Sequence, residues 1–70
     1  MDKETLANNL RSLMQRHDWY YDRSDDYGVY RAGKRAYEAI TYAFADLDKI
    51  DPSFAREVWN EKAPAGRKFV

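Results

Sequence analysis

The sequence predicts an all-α fold: a small three-helix arrangement with a long central helix, in a single domain over residues 1–70. Three observations carry this expectation. Apolar residues recur at steps of three and four in three separate stretches, as one face of a helix requires. Asp or Ser stands ahead of each stretch, where a helix N-cap belongs. No internal repeat, low-complexity run or linker divides the seventy residues, a length that suits one compact domain.

The first stripe is Leu6, Leu10, Leu13, Met14 and His17. Asp2 is placed to cap this helix, Glu4 suits its first turn, and Arg16 and His17 suit its last, giving a helix over about 3–17. His17, closing the stripe, reads as a half-buried edge residue rather than a ligand or a pH switch.

Ser24 followed by Asp25 and Asp26 reads as a second helix start, with two carboxylates in the first turn. Downstream, Tyr30, Gly33, Tyr37, Ile40, Phe44 and Leu47 form the main stripe, and Val29, Ala32, Ala36, Ala39 and Ala43 a small-residue stripe beside it. The central helix is expected over about 25–48. A competing α+β reading makes Trp19–Tyr21 and Tyr27–Tyr30 an aromatic hairpin within 19–30. That reading spares Gly28 and Gly33 the roughly 1 kcal/mol each loses relative to Ala inside a helix. An isolated hairpin is marginal in water without a helix to cover it, so the helix is favoured.

Asp51 and Pro52 are an N-cap followed by proline at the first helical position, where a missing N–H is harmless. Phe54, Ala55, Val58, Trp59 and Lys62 supply the stripe of a third helix over about 52–62, which Pro64 and Gly66 terminate. The tail, 63–70, is expected to be loose, with Phe69 able to fold back.

Composition narrows the function. Twelve Lys and Arg balance twelve Asp and Glu, and cysteine is absent, so there is no disulfide, thiolate metal site or thiol nucleophile. The longest uncharged stretch, Ala39–Ala45, is far too short to span a bilayer, and the charges from Asp2 to Glu4 argue against a secretory signal. No serine sits in a glycine-flanked nucleophile turn, no glycine loop cradles phosphate, and nothing in the pattern marks a pair of carboxylates with one held in an apolar pocket. The chain is therefore expected not to be an enzyme and to need no cofactor. Asp18, Asp22, Asp25 and Asp26 cluster beside His17 but lack the alternation and central Gly of a calcium loop, so no metal site is expected.

Two binding classes remain. Trp, Tyr and Arg dominate interface hot spots, and Trp19, Tyr20, Tyr21, Arg23, Tyr27, Tyr30 and Arg31 crowd into one short stretch. The expected partner surface is Trp19, Tyr20, Tyr21, Asp22, Arg23, Tyr27 and Arg31, and the expected partner a protein. The alternative is a small nucleic-acid-binding accessory or regulatory protein. Neutrality overall conceals local asymmetry: residues 27–45 carry Arg31, Lys34 and Arg35 against Glu38 alone, and 62–70 carry Lys62, Arg67 and Lys68 with no carboxylate. Arg31, Lys34, Arg35, Arg67 and Lys68 would hold phosphates, with Tyr27 and Tyr42 as stacking platforms. No recognition-helix signature accompanies them, which leaves this second. A homodimer through the smooth strip at Gly33 and Ala36 is a third expectation.

The string from His17 to Gly33 resembles a group of small helical proteins of bacteriophages and bacterial mobile elements. The shared pattern is His17, Trp19 and Tyr20, then Ser24, Asp25 and Asp26, then Val29, Tyr30 and Gly33. The resemblance spans about a quarter of the chain and brings no activity with it. It implies a bacterial cytoplasmic setting and supports Ser24 as a helix start. By analogy of class, it suggests an inhibitor or modulator of a host protein.

Overall fold

The computed structural model describes residues 2–17 and 27–70, the side chains of 27–33 excepted. It is all-α: α1 (Lys3–Arg16), α2 (Tyr27–Ile50) and α3 (Pro52–Lys62), followed by a single 3-10 turn, Ala65–Arg67. No strand occurs among the described residues, and Tyr27–Tyr30, one arm of the alternative hairpin, belong to α2. Ser24, Asp25 and Asp26 lie outside the described residues, as do Trp19–Tyr21.

α1 starts where a side chain supplies the acceptor that its first turn lacks. The Asp2 carboxylate accepts from the Thr5 N–H at 2.8 Å, and the Asp2 carbonyl accepts from Leu6 N–H at 3.1 Å. The helix stops at Arg16 because His17 turns to extended backbone, its N–H still donating to the Leu13 carbonyl. Leu6, Ala7, Leu10 and Met14 are buried. His17 is more deeply buried than its edge position suggested, only 5% exposed, with its ring centroid 6.4 Å from that of Tyr37.

α2 ends two residues beyond the expected Asp48, because one residue makes the whole connection to α3. Asp51 N–H donates to the Leu47 carbonyl at 2.9 Å, closing α2. Its carboxylate accepts from Phe54 N–H at 3.1 Å and its carbonyl from Ala55 N–H at 2.9 Å, opening α3. Between these bonds the backbone extends (φ −151°, ψ 90°), which folds α3 back along α2.

Ile40, Ala43 and Leu47 of α2 meet Leu6, Ala7, Leu10 and Met14 of α1 and Ala55, Val58 and Trp59 of α3, with Ala63 at the edge. Leu10, Met14, Ile40, Leu47 and Val58 are essentially sealed, each contributing about 1.5–3 kcal/mol through burial. Of the small-residue stripe, Ala43 is buried and Ala36 half-buried, whereas Ala39 is exposed. Two ion pairs tie α1 to α3 and its cap: Lys3 to Asp51 at 3.2 Å, and Arg11 to Glu61 through two parallel bonds of 3.0 Å. Lys3 and Arg11 also lie over the Phe54 ring, at 5.4 and 5.9 Å.

The 63–70 stretch is docked rather than loose. Pro64 and Gly66 do end α3, but the chain then turns and returns over it. Trp59 Nε1 donates to the Arg67 carbonyl at 2.7 Å, and Asn60 bonds both the N–H and the C=O of Phe69. The Phe69 ring stacks on Phe44 at 5.4 Å.

Candidate protein-interaction surface

A helix turns about 100° per residue, so α2 presents two opposite faces whose roles follow from register. Ile40, Ala43 and Leu47 line the inner face. On the outer face Arg35, Glu38, Ala39, Tyr42, Asp46 and Lys49 are all exposed. Positions 27, 31, 35, 38, 39, 42, 46 and 49 fall within about 60° of the Tyr42 direction and form one continuous ridge. Tyr42 is the prominent ring among its described residues, 74% exposed. One turn earlier Ala39 leaves a shallow flank beside it, with Arg35 beyond. The Thr41 hydroxyl, next to the ridge, donates to the Tyr37 carbonyl at 2.9 Å, a bond made within the helix.

Of the expected partner surface, Trp19, Tyr20, Tyr21, Asp22 and Arg23 lie outside the described residues. Tyr27 and Arg31 are in the α2 backbone, in register with the ridge, and their side chains are likewise outside. Tyr42 and Ala39 extend that surface along the helix. The sequence names Tyr42 only as a stacking platform and Ala39 only as part of the small-residue stripe, although the register that unites them with Arg31 and Arg35 is legible in the spacing.

The basic residues are divided by the same geometry. Lys34, Arg35, Arg67 and Lys68 are all exposed. The 64–70 segment meets α2 at Phe44, and Arg35 lies about 14 Å along the axis from Phe44 and about 180° around it. Lys34 stands about 80° from Phe44 on the same count. Arg35 and the 67–68 pair thus sit on different sides of α2. Positions 33 and 36 share the register of Ile40, Ala43 and Leu47, and Ala36 is half-buried, so the small-residue strip faces the same way as the core line.

The resolved electrostatic shifts have structural causes. The Thr5 N–H holds the Asp2 carboxyl below its ordinary value, and the Phe54 N–H, then Lys3, do so for Asp51. The Arg11 guanidinium lowers Glu61, and Glu61 in turn raises Arg11. Each shift favours the charged form, whereas a general acid at neutral pH needs a carboxyl moved upward. Among the described residues, no group of three His, Cys, Asp or Glu is placed to hold a metal ion. The acidic cluster at Asp18–Asp26 lies outside those residues. No described helix is long and apolar enough to cross a membrane.

No protein-family model matches the chain, and comparisons with curated proteins and with solved structures gave no match.

Proposed function

We propose that this chain is a non-enzymatic helical interaction module that binds a host protein stoichiometrically and inhibits or modulates it. The observation that carries the proposal is the outer ridge of α2. Arg35, Ala39 and Tyr42 stand exposed in the same register as positions 31 and 27, and so continue the Trp-, Tyr- and Arg-rich stretch from 19 to 31. Aromatic rings beside arginines, with a small residue between them, are the composition of an interface centre. The likeness of residues 17–33 to small phage and mobile-element proteins supports a bacterial cytoplasmic setting and a host partner.

The test is capture by the tagged full chain from bacterial lysate, followed by reconstitution with the purified partner. One protein is expected at a one-to-one ratio. Tyr42→Ala and Arg35→Ala should each weaken it at least tenfold, and Trp19→Ala or Tyr21→Ala should abolish it, with the helical signal unchanged. Retention indifferent to all four substitutions rejects this surface. Recovery of nucleic acid alone, released by salt, rejects the protein-binding proposal in favour of phosphate contact.

A further inference from the structure

The 64–70 segment is held in the manner of a bound peptide. Its contacts fall on alternate residues. Trp59 Nε1 donates to the carbonyl of Arg67 at 2.7 Å. The Asn60 side chain then clamps Phe69, Nδ2 donating to its carbonyl at 2.9 Å and Oδ1 accepting from its N–H at 2.8 Å. Between them Lys68 is extended (φ −78°, ψ 147°). The Phe69 ring stacks on Phe44 of α2, meets the edge of Trp59 of α3 at 6.0 Å, and has the Arg56 guanidinium 5.7 Å from its centroid. Lys68 and Val70 project into solvent. Main-chain bonds on alternate residues plus one side-chain pocket is how linear peptide motifs are recognised.

The segment lies at the margin of the fold. The buried cluster does not include Phe69, which stays 42% exposed even when docked, and every residue from 64 to 70 is exposed. We infer that the groove formed by Phe44, Arg56, Trp59 and Asn60 is a receptor site for an extended partner segment with an aromatic anchor, and that residues 64–70 occupy it in cis as a built-in competitor. Arg56 over the ring favours an electron-rich aromatic face. A tethered competitor acts at an effective concentration on the order of millimolar, so the site opens only to a partner with further contacts elsewhere. This site is separate from the α2 ridge and does not depend on it.

The test uses the full chain with Phe69→Ala, which vacates the pocket and leaves every helix residue in place. The probe is a labelled, amide-capped peptide of residues 63–70, read by fluorescence anisotropy. Saturable binding is expected to Phe69→Ala and at least tenfold weaker binding to the unsubstituted chain. Binding should be lost when the peptide's own Phe is replaced by Ala, or when Asn60→Ala is added to the protein. Equal binding to both proteins, or equal binding of the Ala peptide, overturns the inference. On the unsubstituted chain, excess peptide should also shift the NMR signals of the Asn60 side-chain amide and Trp59 Nε1. Unmoved signals at saturating peptide overturn it without reliance on any variant. A dimer in light scattering that Phe69→Ala dissolves assigns the groove to a second copy and rejects the partner segment.

Discussion

Leu47→Ala and Tyr42→Ala lie on the same helix, fewer than two turns apart, and should behave oppositely. Leu47 is 0% exposed between α1 and α3, whereas Tyr42 is 74% exposed. Truncating a sealed leucine costs about 2–5 kcal/mol, the spread reflecting how far the cavity collapses. Three helices packed on one another leave little room for collapse, so about 3 kcal/mol is expected. A chain of this length has a total stability of roughly 3.5–10 kcal/mol, of which that is about three tenths or more. Its unfolding entropy near Tm is about 0.15 kcal/mol/K, which converts the loss into a fall of about 20 °C in Tm. Tyr42→Ala should stay within about 0.5 kcal/mol, a change of about 3 °C at most. Thermal and urea unfolding followed by far-ultraviolet circular dichroism measure both, with the urea slope expected to be unchanged. A Leu47→Ala loss below about 1 kcal/mol, or a Tyr42→Ala loss that equals it, refutes the inner and outer faces assigned to α2.

Acid should weaken the fold through three carboxylates. Asp2, Asp51 and Glu61 have folded pKa values below their ordinary ones, so their contribution is full above the unfolded values of 3.8 and 4.5 and is lost as pH falls through the folded values. Urea midpoints measured downward from pH 5 should drop, and the combined Asp2→Asn, Asp51→Asn and Glu61→Gln variant should show a shallower acid limb. The Arg11–Glu61 pair has paired geometry but is only partly shielded, its side chains 30% and 43% exposed. A double-mutant cycle with Arg11→Ala and Glu61→Ala should therefore give a coupling of about 0.5 kcal/mol that shrinks in high salt. Asn60→Ala should abolish the slow exchange of the Phe69 amide proton while leaving that of Leu10 and Leu47 intact, as read by hydrogen exchange.

How much of this was legible in the sequence depends on the range of the interaction. Leu6, Leu10 and Met14, and likewise Ile40 and Leu47, are buried where the helical period puts them, because each answers to its own helix. The Asp51 cap is local too, with its acceptor three residues from the donor. That the same residue closes α2 through Leu47 was not legible, since nothing in the local pattern marks a connection of one residue. The 64–70 segment shows the limit most clearly. Pro64 and Gly66 signal only that a helix stops, whereas docking depends on Phe44, twenty-five positions upstream of Phe69. Ala43 is buried and Ala39 exposed although both belong to one small-residue stripe, because small residues at the edge of a wide apolar arc have no size to betray which side they face. Of the expected partner surface, the sequence supplied the residue types in 19–31. The exposed ridge that extends them needed the packing of α1 and α3 to show which face of α2 stays open.

The lengths of the helices locate that open stretch. Lys3, at the start of α1, pairs with Asp51 just past the end of α2, and His17, just past the end of α1, lies beside Tyr37. α1 therefore runs antiparallel to α2 and matches it only from Tyr37 to Asp51. α3 folds back from Asp51 and, at eleven residues, spans only about 17 Å. Tyr27–Ala36, about 15 Å of helix, project past the ends of both neighbours. This projection carries position 31 and Arg35 on its outer line. A helix laid along the described part of the ridge would meet Tyr42 and Arg35, adding a further layer at ordinary helix–helix spacing. A polyanion would find Arg35 and the 67–68 pair on different sides of α2, with Glu38 and Asp46 on the ridge itself. On the described part of the ridge Arg35 and Lys49 stand with Glu38 and Asp46, a mixed charge that would suit a partner of complementary pattern better than a polyanion.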